Sequence, residues 1–139
     1  MEIGPFVTRS VLTVEEGESL RDAATSMMER GVGSAVVLSG GKPTGIVTDR
    51  EALRTIAQGK DAASTTVSEF VKGKLATVVP SLDILEAARV MRQKGFRHLV
   101  VVDEQGELMG VFSMRDLVVG LLEERALLLA EPEGVQGTG

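Results

Sequence analysis

Apolar and polar positions along this chain follow two periods that hand over to each other in a fixed order. Leu20, Ala23, Ala24, Met27 and Met28 fall at the spacing of one helical face, which predicts that this face, its methionines included, packs on a core. Ser19 with Asp22 ahead of that run has the pattern of a capping box, and Gly31 stands where a helix stops. The runs AVVL and GIVT that follow are short, rich in β-branched residues and separated by a glycine-containing turn, so they predict a hairpin. Beyond Thr48 the helical period returns at Ala52, Leu53 and Ile56. With a strand entry at Thr13 and Val14, the stretch reads strand, helix, strand, strand, helix.

The same order then recurs. Displaced by 64 positions, TVEEGESLRDAATSMMERGVGSAVVL from Thr13 lies over TVVPSLDILEAARVMRQKGFRHLVVV from Thr77. Thr13, Val14, Ala23, Met27, Gly31 and Val36 meet identical residues at Thr77, Val78, Ala87, Met91, Gly95 and Val100. One inserted residue in the next turn brings Gly45 and Thr48 over Gly110 and Ser113. In the second copy Asp83 and Glu86 open a helix carrying Ile84, Ala87, Ala88 and Met91. HLVVV and LMGVF form its hairpin, and Leu117, Val118, Leu121 and Leu122 resume the helical period. An internal repeat of this kind sets the architecture. The expected fold class is α+β, two pseudo-symmetric β-α-β-β-α units over residues 1–61 and 62–130. GKDAASTT, Gly59 to Thr66, has the composition of a linker between them. Residues 131–139 are too poor in apolar side chains to pack and are expected to be a disordered tail.

Composition narrows the function classes. A formal charge of −5, from 15 Lys and Arg against 20 Asp and Glu, argues against nucleic acid as the partner. The absence of cysteine excludes disulfides and thiolate metal sites, and the single histidine, His98, excludes multi-histidine ones. The start MEIGPFVTRS lacks the basic and apolar regions of a signal peptide, and no apolar run approaches the roughly 20 residues that span a bilayer. A cytoplasmic location with no membrane partner is therefore expected. No phosphate-binding G-x-x-x-x-G-K-S/T loop is present, and no nucleophile can be paired with a base, so an enzyme is not expected.

The repeated junctions GIVTDRE, Gly45 to Glu51, and GVFSMRD, Gly110 to Asp116, each place a hydroxyl three residues before a carboxylate at a strand-to-helix transition. As structure alone both satisfy the capping box, the hydroxyl accepting from the N–H three positions on. The same geometry also suits a ligand. Open N–H groups at the positive end of a helix dipole favour phosphate, and a carboxylate one turn in can accept both hydroxyls of a ribose.

The TV before a capped helix with an Ala-Ala-x-x-Met core, the G-V/F-x-x-x-V-V strand entry and the terminal hydroxyl-carboxylate junction occur in this order twice. On these motifs the chain, from about residue 5 to 125, resembles a tandem pair of CBS domains, or Bateman module. The resemblance implies two units packed through their strands, with two clefts related by a pseudo-twofold axis. It implies no required cofactor, and an adenosyl compound such as AMP, ADP, ATP or S-adenosylmethionine as regulatory ligand, with its state passed to a separate effector protein. It assigns phosphate and ribose binding to Ser113 and Asp116, with Arg115 adding charge nearby, and phosphate binding to Thr48 in the other cleft. There Glu51 stands where the family has the ribose-binding Asp, and its extra methylene displaces the carboxylate by about 1.5 Å. Adenine is expected against Val11 to Thr13 and Leu75 to Thr77, its edge read by backbone around Ser34 to Val36 and His98 to Val100.

Arg97 and His98 are expected to reach across to phosphates in the Thr48 and Glu51 cleft, a reach that their counterparts Gly33 and Ser34 lack. The alternative is a strand histidine satisfied by a backbone carbonyl and a solvated arginine. A homodimer through the second helix of each unit is expected. LVVGLLEERALLLA, Leu117 to Ala130, carries more apolar residues than one face can use. The competing functional reading is a dimerising scaffold whose clefts hold no nucleotide.

Overall fold

Each repeat closes one three-stranded sheet in the computed structural model, which describes residues 1–71 and 75–130. The tail expected over 131–139 lies outside the described residues. The first unit comprises β1 (Thr13–Glu15), α1 (Leu20–Arg30), β2 (Ser34–Ser39), β3 (Lys42–Thr48) and α2 (Asp49–Ala57). The second comprises β4 (Thr77–Val78), α3 (Ile84–Lys94), β5 (His98–Val102), β6 (Leu108–Ser113) and α4 (Met114–Leu129). In both, the first strand runs parallel to the second and the second antiparallel to the third. The registers correspond, Thr13 opposite Val36 and Thr77 opposite Val100, and both hairpins shift register at matching positions, Val37/Leu38 and Val101/Val102. This is the expected α+β, β-α-β-β-α pair.

Local chemistry explains the element boundaries. The Ser19 hydroxyl accepts from the Asp22 N–H at 3.0 Å, and the Asp83 carboxylate accepts from the Leu85 N–H at 3.0 Å, so both first helices start on a side-chain cap. Both stop at a glycine in the left-handed region, Gly31 at φ 65° and Gly95 at φ 68°, where a Cβ would be strained. The inward stripe of α1 is Leu20, Ala23 and Met27, packed with Val14, Ala35, Val37 and Val47. Its counterpart in α3 is Ile84, Ala87 and Met91, packed with Leu99, Val101 and Phe112.

Each core is completed by chain from outside the unit that owns it. Ile3 and Val7, which precede β1, are buried in the second core, Ile3 completely. The Ile3 N–H donates to the Leu82 carbonyl at 2.9 Å, and Thr8 and Val111 exchange two backbone hydrogen bonds of 2.9 Å. Val67, which precedes β4, is completely buried in the first core, with its N–H donating to the Glu18 carbonyl at 2.9 Å. The stretch read as a linker is therefore packed at its end: Thr65 is buried and its carbonyl accepts from the Leu20 N–H at 2.7 Å. Glycine permits both crossings. A Cβ on Gly45 would stand 2.7 Å from Val71 Cγ1, and one on Gly110 would stand 2.7 Å from Val7 Cγ1 and overlap the Thr8 carbonyl.

Some helical positions differ from the expected core face. Met28 is 82% exposed, because Leu20, Ala23 and Met27 already fill the inward stripe of α1 and Met28 lies one step round the helix. In α2 the apolar Leu53 and Ile56 face outward, and the buried residue is Thr55. In α4 only Leu117 and Gly120 are buried, while Val118 and Leu122 are exposed. Gly120 is placed where a side chain would collide with Ile84 and Phe6. At the other end of the molecule the Lys42 ammonium pairs with Glu107 at 2.9 Å and donates to the Gln105 carbonyl at 2.6 Å, tying the two hairpin turns together.

Candidate functional site

The two strand-to-helix junctions open onto separate spaces between the units. The larger encloses about 550 Å³ where β6 hands over to α4. Ser113 is the N-cap of α4 and forms a complete capping box: its hydroxyl accepts from the Asp116 N–H at 3.2 Å, and its own N–H donates to Asp116 Oδ2 at 2.8 Å. The Ser113 hydroxyl also lies 3.0 Å from Oδ2. Thr8, from the segment that crosses over from ahead of the first unit, donates its hydroxyl across both carboxylate oxygens at 3.2 Å. Among the described residues Thr8 is the one hydrogen-bond partner of Oδ1, so that oxygen keeps acceptor capacity for a ligand. Ser10, Leu12, Ser34, His98 and Arg115 contribute to the walls.

The smaller space encloses about 190 Å³ at the end of β3. Thr48 lies on its wall with the apolar Phe70, Leu75 and Phe96, and Arg97 and His98 reach it from β5 and the turn before it. The junction chemistry differs from that of its twin. Thr48 forms no side-chain cap; its hydroxyl donates to Glu51 Oε2 at 3.0 Å instead. The longer glutamate side chain brings its carboxylate back onto the hydroxyl. The capping box expected at Thr48 and Glu51 is thus replaced by a side-chain pair.

Sequence-nominated residues divide accordingly. Ser113, Asp116, Arg115 and Ser34 come together on the larger cleft, and Thr48 and Arg97 on the smaller, while His98 lines both. Arg97 and His98 thus lie on the wall of the space at the other unit's junction. Glu51, Thr13 and Thr77 line neither space. Thr13 and Thr77 are exposed within their strands, and the residues just before them form the walls: Val11 and Leu12 in one case, Leu75 and Ala76 in the other. Burial pushes the His98 imidazole below the ordinary histidine pKa and the Arg97 charge adds to that, against opposing pulls from Asp116, Asp49 and Glu51.

Thr8, Ser10 and Phe70 were not anticipated as wall residues. A signal for them existed, since Ile3, Phe6 and Val7 lie 64 positions before Val67, Phe70 and Val71. The repeat thus begins earlier than the TV motif, in the two segments that cross between units. Among the described residues no group of three or more His, Cys, Asp or Glu side chains is placed to hold a metal ion.

A twice-repeated β-α-β-β-α unit, with a hydroxyl at each strand-to-helix junction facing a cleft between units and the Asp116 carboxylate facing one of them, defines a paired regulatory module of the Bateman type. The family model described as CBS domain matches residues 2–58 and 67–123, and the chain belongs to that family. A CBS domain-containing protein of Bacillus subtilis, YhcV, is 35% identical over 121 residues, covering 86% of this chain and 85% of its own. A Methanopyrus kandleri protein is 30% identical over 120 residues, and this chain spans 61% of its length. Among solved structures, a Pyrobaculum aerophilum CBS domain protein complexed with AMP superposes with a TM-score of 0.79 at 30% identity, covering 91% of this chain and 99% of that one.

Proposed function

We propose that this chain is a non-catalytic sensor of adenosyl nucleotides that binds its ligand in the Ser113 and Asp116 cleft. The observation that carries this reading is the Asp116 carboxylate, fixed by the Ser113 N–H and the Thr8 hydroxyl with Oδ1 left able to accept from a ribose hydroxyl. The first turn of α4 supplies N–H groups and a positive dipole end for a phosphate, with Arg115 on the same wall. The AMP bound by the Pyrobaculum relative supports this ligand class. Such a ligand needs no chemistry from the protein. It touches α4 of the second unit and the Ser10 to Leu12 and Ser34 walls of the first, so binding favours the arrangement in which these surfaces are close. That difference is what a separate effector would read. The exposed Leu53, Ile56, Val118 and Leu122 on the second helices provide a surface for pairing as a homodimer.

The test is thermal melting with and without AMP, ADP, ATP and S-adenosylmethionine. A ligand at 100 times its dissociation constant stabilises the fold by about 2.7 kcal/mol. The expected result is a rise in melting temperature with at least one of them that disappears in Asp116→Ala. No response to any of the four would leave the junctions as structural elements and favour the dimerising scaffold.

A further inference from the structure

The two spaces between the units differ in size and in the chemistry of their walls. At the 64-residue displacement Phe96, Arg97 and His98 on the smaller one correspond to Val32, Gly33 and Ser34 on the larger. Exchanging a phenyl ring, a guanidinium and an imidazole for three smaller side chains acts in the direction of the step from about 190 to about 550 Å³. The larger volume lies within the range of roughly 300–1,000 Å³ that holds drug-sized ligands. The smaller is close to an apolar cavity of about 150 Å³ that takes up benzene. Its interior therefore suits a body of a few more atoms than a benzene ring.

Its chemistry is equally specific. Two of the chain's four phenylalanines, Phe70 and Phe96, line it together with Val71 and Leu75. Among the described residues its charged or chargeable wall residues are Arg97 and His98, with no carboxylate on the wall. Arg97 forms no salt bridge with any described residue. Glu51 is turned onto the Thr48 hydroxyl, while an Asp49 oxygen lies 3.1 Å from where a Gly33 Cβ would stand, beside the larger cleft. Both carboxylates still act on His98 through space, which disfavours a dianion such as phosphate more than a monoanion.

We propose that this cavity is a second, chemically distinct site for a compact carboxylate with an apolar body, aromatic or branched aliphatic. The ring or branched chain fills the phenylalanine-lined interior, and the Arg97 guanidinium pairs with the carboxylate. His98 lines both spaces, so the nucleotide and the carboxylate would be neighbours across one imidazole. The module would then read two inputs. The proposal goes beyond the nucleotide reading and does not depend on it.

The experiment is calorimetric titration of the full chain with sodium benzoate as probe and, separately, with AMP. Benzoate is expected to bind saturably at one site per chain. Arg97→Gln should weaken it about tenfold or more, the scale of a lost charge-assisted hydrogen bond. Ala76→Leu, which fills the cavity while leaving Arg97 in place, should abolish benzoate binding. Asp116→Ala should leave benzoate affinity within about twofold, in contrast to its effect on AMP. Absence of saturable benzoate binding, or binding that survives Ala76→Leu, overturns the proposal. So does a stoichiometry of two AMP per chain with the second lost in Arg97→Gln, which would make the cavity a nucleotide site. A chain that binds benzoate as described but no adenosyl compound would retain this site and refute the nucleotide reading alone.

Discussion

Ile3→Ala puts the exchange of segments between units to a quantitative test. Ile3 is completely buried among Ile84, Ala87, Met91, Leu99 and Phe112, residues that follow it by 81 to 109 positions in sequence. The substitution removes three carbons, worth about 2.4 kcal/mol of transfer free energy at about 0.8 kcal/mol per methylene. The cavity left behind adds to that, and isoleucine-to-alanine changes in cores cost about 2–5 kcal/mol, so a loss of about 3 kcal/mol is expected. For a urea m-value of about 2 kcal/mol per molar, the unfolding midpoint should fall by about 1.5 M. The chain has no tryptophan or tyrosine, so far-ultraviolet circular dichroism is the suitable probe. The transition should remain single, since the same segment carries Thr8 to the cleft between the units. A loss below about 1 kcal/mol would show that the leading segment adds little to the second core. A biphasic curve in which one half keeps its midpoint would show that the units unfold independently.

Other changes probe the remaining features. Gly110→Ala forces a Cβ against the Thr8 carbonyl and Val7, and should cost about 1–3 kcal/mol by denaturation, whereas Gly17→Ala, with open space around it, should change stability by less than about 0.5 kcal/mol. Asp116→Ala removes half of the α4 capping box and should cost about 0.5–2 kcal/mol in addition to the nucleotide response. The depressed pKa of His98 gives a pH dependence of definite sign. As pH falls below the unfolded histidine value of about 6.5 the unfolded chain takes up the proton first, so stability present above that value is lost as pH drops through the lower folded value. Melting temperatures followed from about pH 7 to about pH 5 should fall less steeply in His98→Gln than in the wild type. An unchanged slope would contradict the burial argument.

Much of the fold could be read from periodicity, because both copies carry the same inward stripe: Leu20, Ala23 and Met27 answer Ile84, Ala87 and Met91. The junction at Ser113 and Asp116 was equally legible, since a serine and an aspartate at this spacing can satisfy each other's backbone. Thr48 and Glu51 look equivalent in one dimension, but one additional methylene lets the carboxylate bond to the hydroxyl itself, and that choice is made by side-chain length. Leu53 and Ile56 show the opposite limit: the apolar spacing identified a helical face correctly but could not say whether it meets the core or the outside. Thr8 entered the site by a long-range crossing that no local pattern encodes. Each cleft is walled partly by side chains supplied by the other unit, so the difference between the two emerges only once the units are placed against each other.

The crossed leaders also imply what half of this molecule would do alone. A chain ending at residue 61 would hold a first core without Val67 and carry Ile3 with nowhere to bury it. A chain beginning at 62 would have the reverse deficit, a second core without Ile3 and an idle Val67. Each fragment owns the plug for the other's gap, the reciprocity by which swapped dimers form from identical halves. The tandem protein is thus built like a swapped pair whose members have been joined end to end. Its two fragments, expressed apart and mixed, should find each other and restore one folded particle.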